Sequence, residues 1–87
     1  MPYYIAVYDV NQKRVGKMLK LFRRYLNWVQ NSVFEGELTL SQHKQLQLEA
    51  DDLMQEEDSV IFYQLRDELY MDRQVLGKER GEVNRFL

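Results

Sequence analysis

Among the side chains able to do chemistry, one carboxylate stands apart. Asp9 closes the run Tyr3–Val10, which is otherwise built of apolar, aromatic and β-branched residues. A charge at the end of such a run must be solvated in a cleft, capped by backbone donors, or matched by a cation. Two outcomes stay open. Asp9 either caps the following turn, Val10-Asn11-Gln12, or serves as an oxygen ligand for a divalent metal. In a two-fold dimer, one such carboxylate from each copy, with phosphate oxygens and water, would make a Mg²⁺ or Mn²⁺ site.

The remaining candidates carry less. Ser32 has no His or Lys beside it in sequence to activate it as a nucleophile, so it is expected to be a polar strand residue. His43 is the one histidine and is expected exposed in the first turn of a helix, so histidine-based triads and multi-histidine metal sites are set aside. The acids from Asp51 to Asp58 lack the glycine and alternating spacing of a calcium loop and read as a solvated helix end. There are no cysteines, hence neither disulfides nor thiolate metal sites. The glycines form no phosphate-cradling motif, and Trp28 and the strand aromatics read as core or interface.

Charge is distributed unevenly. The net charge is only −2, yet no acid occurs between Asp9 and Glu35, a window holding Lys13, Arg14, Lys17, Lys20, Arg23 and Arg24. Thirteen acids and six bases follow from Glu35 onward. A basic third joined to an acidic remainder can still offer one face to phosphate. Lys13, Arg14, Lys17, Lys20 and Arg24 are the expected nucleic-acid contacts.

These residues need elements to hold them. Tyr3–Val10 reads as a strand with both alternating sets apolar, and therefore as a central strand covered on both sides. Val15, Met18, Leu19, Phe22 and Leu26 recur at the spacing of an amphipathic helix; Lys13, Lys17, Lys20 and Arg24 form a basic ridge on another face. After a turn at Asn27, Trp28–Glu35 reads as a second strand, with Gly36 relaxing a bulge or the strand end. Thr39 and Gln42 fit a capping box opening a second helix to about Met54, with its apolar face on Leu46, Ala50 and Leu53. Ser59–Leu65 reads as a third strand, and Leu69–Leu76 as its hairpin partner across a turn near Arg66 and Asp67. We read this order as α+β: a ferredoxin-like βαββαβ sandwich, an antiparallel sheet with two helices on one face. The other sheet face would be open in a monomer, which predicts a sheet-to-sheet homodimer.

The 87 residues are expected to form a single domain over 1–87, with about 78–87 as a C-terminal tail or exchanged strand. The composition, 45% hydrophobic and 13% aromatic, argues against disorder. A chain of this size buries about two-thirds of its unfolded surface, so a partner covering apolar area is in keeping. No apolar stretch approaches membrane-spanning length and no secretory signal is evident, so a cytoplasmic location away from membranes is expected.

The segment Val7-Tyr8-Asp9-Val10, the basic helix after it, and Gln30-Asn31-Ser32-Val33-Phe34-Glu35-Gly36 together resemble the second CRISPR-associated adaptation protein family. That resemblance covers nearly the whole chain. It implies a ferredoxin-like homodimer in which facing copies of Asp9 hold a divalent metal, with roles for Arg14 and Phe34 in the same site. It also implies metal-dependent cleavage of single-stranded RNA or double-stranded DNA. A cellular role follows from it too: spacer acquisition, in which the dimer bridges an adaptation integrase and supports DNA, acting as an adaptor. Val83–Leu87 would make the contact with the integrase. The chain departs from the family pattern early in the second strand, where many relatives carry a base and this one has Trp28 and Asn31.

Overall fold

The computed structural model describes residues 1–77. The elements run β1 (Tyr3–Asp9), α1 (Val15–Arg23), β2 (Asn27–Gln30), β3 (Val33–Glu37), α2 (Leu40–Leu53) and β4 (Ser59–Leu65), with short 3₁₀ turns at Gln12–Arg14 and Glu68–Tyr70. The sheet order is β2-β3-β1-β4. All its pairings are antiparallel. This is the βαββαβ order of a ferredoxin-like domain.

The strands differ from the expectation in two places. Trp28–Glu35 is not one strand but a hairpin, β2 and β3 joined through Asn31 and Ser32. Asn31 sits at φ 42°, a left-handed conformation that asparagine tolerates better than most residues. Ser32 is thus a turn residue rather than a strand residue. Leu69–Leu76, expected as a hairpin strand, is a 3₁₀ turn followed by chain without strand pairing. The expected segment 78–87 lies outside the described residues.

β1 is central, as its two-sided apolar pattern requires. Tyr4, Ala6 and Tyr8 face the helices and are buried. They pack with Met18, Leu21 and Phe22 of α1, Phe34 of β3, and Leu46 and Ala50 of α2. The helix stripe read from sequence holds for Met18, Leu19 and Phe22, but Val15 at its start is exposed, α1 stops at Arg23, and Leu26 reaches the core from the following turn. Gly36 makes no bulge; it lies opposite Tyr4 in regular pairing. A Cβ there would stand 3.2 Å from Leu26 Cδ2, so close approach is what the position demands.

The opposite face carries Tyr3, Ile5, Val7 and Asp9 of β1 in register with Leu65, Tyr63, Ile61 and Ser59 of β4. Ile61 and Tyr63 are 49% and 56% exposed. On the β3 side Arg73 meets Glu35 at 2.9 Å, so chain beyond β4 reaches this face beside Tyr3. Burial and the nearby Glu35 and Glu68 carboxylates push the Tyr3 hydroxyl up to about 12.

α2 begins at the expected capping box: Thr39 accepts from the Gln42 N–H, and Gln42 accepts from the Thr39 N–H. His43, expected on the surface, instead packs on the sheet. Its ring stacks on Tyr4 at 4.2 Å and meets Phe62 edge-on at 4.7 Å, and among the described residues its buried Nε2 has no hydrogen-bond partner. The capping box turns the first turn of α2 so that this side faces inward.

Burial pulls the His43 pKa below its ordinary value. The neutral ring is the form the fold accepts, so this contribution is complete above about pH 6.5 and is lost as pH falls towards the folded value. The thermal midpoint is expected to drop between about pH 7.5 and pH 5.5. His43→Phe, which keeps a ring between Tyr4 and Phe62, should flatten that dependence. An unchanged slope in scanning calorimetry would assign it to other groups.

Candidate metal and nucleic-acid site

Asp9 is the last residue of β1, exposed, and opposite Ser59 at the start of β4. Among the described residues no side chain pairs with its carboxylate. The cap for the turn is supplied by Asn11, whose Oδ1 accepts from the Lys13 N–H at 2.9 Å. Asp9 is thus left available for a ligand. It borders a shallow cleft of about 400 Å³ lined also by Tyr8, Val15, Leu19, Trp28 and Ser32. Trp28 is fixed there by its Nε1–H donating to the Asn31 carbonyl at 2.9 Å, with the Arg23 guanidinium 5.6 Å from the ring centre.

Arg14 lies across the loop from Asp58. Its Nε donates to Asp58 Oδ2 at 2.5 Å and its Nη2 to Oδ1 at 3.1 Å, with a further contact to Glu57 at 3.1 Å. Asp58 also accepts from the backbone N–H groups of Asn11 and Gln55, at 2.8 and 2.9 Å. The Arg14 guanidinium, together with these two N–H donors, holds the Asp58 carboxyl well below the usual carboxylate range. A depressed acid contributes stability above its unfolded value of about 3.9, and the contribution fades as pH falls below that. The expectation that Asp51–Asp58 is all solvated helix end fails at its last residue, whose side chain is fully buried. An aspartate just before a strand is a turn signal, since Asp58 closes back on Gln55; its partner 44 residues away leaves no local trace.

Phe34 is fully buried, in register with Ala6, stacked against Tyr8 and packed at a tilt against Phe22. It touches the site through Tyr8, not directly.

The basic ridge is mixed. Lys13, Lys17 and Lys20 are exposed, and among the described residues they form no ion pair. Arg24 pairs with Glu49 at 2.7 Å, and the same carboxylate accepts from the Tyr25 hydroxyl. Lys17 and Lys20 border a groove whose far side carries Glu49 and Asp52 of α2.

Whether these residues suit a metal follows from the donor set. Among the described residues no three His, Cys, Asp or Glu side chains lie together as a cage. Among the described residues lining this cleft one copy supplies a single carboxylate, so the set fits a hard divalent cation only when shared between two copies and completed by water or phosphate. Among the described residues no helix is long and apolar enough to cross a membrane.

Sheet order, helices on one face and an unpaired acid ending the central strand define a ferredoxin-like domain with a carboxylate site at its rim. A family model for CRISPR associated protein Cas2 matches residues 1–73. The chain is 52% identical over 81 residues to a CRISPR-associated endoribonuclease Cas2 of Thermotoga maritima, covering 92% of this chain and 93% of that one. It is 48% identical over 86 residues to the protein of the same name from Dictyoglomus turgidum, covering 98% and 99%. Among solved structures, one titled a crystal structure of cas2 superposes with a TM-score of 0.86 at 40% identity, covering 99% of this chain and 98% of that one. Streptococcus pyogenes Cas2 at pH 6.5 superposes with a TM-score of 0.77 at 30% identity, covering 86% and 99%. The chain belongs to the Cas2 family of CRISPR-associated proteins and, with that family, to CRISPR adaptation.

Burial of Phe34 makes a stability prediction that a surface contact would not. Phe34→Ala should cost about 3–5 kcal/mol in urea unfolding, and Phe34→Leu much less. A silent Phe34→Ala would place the ring outside the core.

Proposed function

We propose that the protein is a homodimeric, metal-dependent endonuclease of CRISPR adaptation, cutting phosphodiester bonds in RNA or double-stranded DNA. The observation that carries this reading is the exposed, unpaired Asp9 at the edge of an apolar sheet face. A second copy laid over Ile5, Val7, Ile61 and Tyr63 would bury that face and bring a second Asp9 towards the first. The two carboxylates would hold Mg²⁺ or Mn²⁺, which when bound supplies positive charge to the phosphate and lowers the pKa of water. The chain's own part is to hold two anionic side chains at the rim, beside a cleft walled by Val15, Leu19 and Trp28. Lys13, Lys17 and Lys20 attract the phosphate backbone from the neighbouring helix face.

A second reading is supported by the sparseness of this site. Arg14 is held by Asp58 and Glu57, and Phe34 is enclosed in the core, so neither joins Asp9, and among the described residues lining its cleft one copy offers no second carboxylate. In that reading the dimer is an adaptor that spaces the adaptation integrase and holds duplex DNA, and the carboxylates are not needed for cutting.

Purified protein is to be given labelled single-stranded RNA and double-stranded DNA with Mg²⁺, Mn²⁺ or EDTA, beside Asp9→Ala. Cutting that needs metal and disappears in Asp9→Ala, while duplex binding persists, is the expected result. Absence of cutting by the parent protein, or equal cutting by Asp9→Ala, would leave the adaptor. The dimer is checked separately: Ile61→Lys with Tyr63→Lys should shift the sedimentation coefficient to that of a monomer. A wild-type protein already monomeric at micromolar concentration would remove the shared site.

A further inference from the structure

Asp58 is bound more completely than an ordinary loop acid. Both carboxylate oxygens accept two hydrogen bonds: Oδ1 from Asn11 N–H and Arg14 Nη2, Oδ2 from Gln55 N–H and Arg14 Nε. Its side chain has no solvent exposure, against 17% for that of Arg14. The bonds join two separate pieces of chain. Asn11 and Arg14 belong to the turn that leaves β1, and Gln55 and Asp58 to the loop that enters β4. Asn11 passes the constraint on, accepting from Lys13 N–H through its side chain and from Arg14 N–H through its carbonyl, at 2.9 and 2.8 Å.

The clamp closes next to Asp9. Ser59, the residue after Asp58, is the register partner of Asp9, and Asn11 is two residues beyond it. The last rung of the β1–β4 ladder and the first donor to Asp58 therefore bracket the Asp9 backbone from both sides. A buried, doubly bonded carboxylate–guanidinium pair costs desolvation, which its hydrogen bonds offset only when geometry is good. Such a pair makes sense where it fixes the placement of something else.

We propose that Asp58 is a positioning residue for Asp9, and that Arg14 acts through Asp58 rather than by touching the phosphate. This rests on the reading of Asp9 as a metal-holding residue. Supporting groups of this kind set ligand affinity or activity by about 10–100-fold when removed, without contacting the reacting atoms.

The full chain is prepared with Asp58→Asn, Arg14→Ala and the two combined. Thr39→Ala, which loses the α2 cap, serves as a control for general destabilisation. Three quantities are read: amide exchange over residues 9–14, Mn²⁺ affinity from the spin-resonance signal of free Mn²⁺, and kcat and KM for an oligonucleotide. In Asp58→Asn, exchange at Asn11 and Arg14 should quicken, and Mn²⁺ affinity or kcat should fall about 10–100-fold with KM little changed. Thr39→Ala should leave all three alone. Arg14→Ala should match Asp58→Asn, and the combined variant should be no worse than either, as expected of residues in one network.

Arg14→Ala that raises KM and adds to the loss in Asp58→Asn would put Arg14 on the phosphate and overturn the proposal. So would an Asp58→Asn variant with wild-type exchange, Mn²⁺ affinity and turnover. If the parent protein neither binds Mn²⁺ nor cuts, the nuclease reading fails by itself. Exchange over residues 9–14 then decides the clamp: slow exchange lost in both single variants supports it, and unchanged exchange overturns it.

Discussion

A strand with apolar residues on both sides governs this molecule. β1 hydrogen-bonds β3 on one edge and β4 on the other, so neither of its backbone edges is left open. Its even-numbered side chains must be covered by helices, and α1 and α2 supply that cover through Met18, Phe22, Leu46 and Ala50. Its odd-numbered side chains are left for something else. The one charged member of that second set, Asp9, falls at the point where β1 leaves the sheet. Placing the charge one residue earlier or later would turn it towards the helices or into the loop, since side chains alternate along a strand.

Much of the architecture was legible because it rests on periodicity. The Val15–Phe22 stripe, the Thr39–Gln42 capping box and the two-sided pattern of β1 each translate directly into an element. The β2–β3 hairpin was hidden because Val29 to Phe34 is broken only by Gln30, Asn31 and Ser32, with no glycine or proline among them to mark a turn. The folded chain takes the left-handed Asn31 instead, and a two-residue turn restores the βαββαβ order. The stretch Leu69–Leu76 failed in the opposite direction: Leu69, Met71, Val75 and Leu76 alternate loosely enough for a strand, yet no strand edge is paired to receive them among the described residues. His43 was misplaced because a lone polar residue in a first turn is normally outward, and stacking on Tyr4 depends on a tertiary approach that no local pattern records.

The candidate site divides in the same way. Asp9 was readable because a charge ending an apolar run is locally anomalous. The exposed lysines were readable because an acid-free window is a property of one dimension. Asp58 and its hold on Arg14 were not. Two residues of ordinary type and opposite charge, 44 positions apart, meet only once α2 has folded back and β4 has paired with β1. Phe34 was assigned to the site by resemblance; its place in the aromatic stack with Tyr8 and Phe22 ties it to the packing beneath the site.

Trp28 is the chain's single tryptophan, and it borders the same cleft as Asp9. Its indole N–H is tied to the hairpin turn and a guanidinium lies over its ring. The molecule therefore contains one indole fluorophore, sited beside its candidate chemistry and free of background from any other indole. Solvent entering the cleft, a nucleobase set against its wall, or a paramagnetic ion held at the rim would each alter the colour or lifetime of that emission. The protein carries its own optical gauge of the place where its function is proposed to lie.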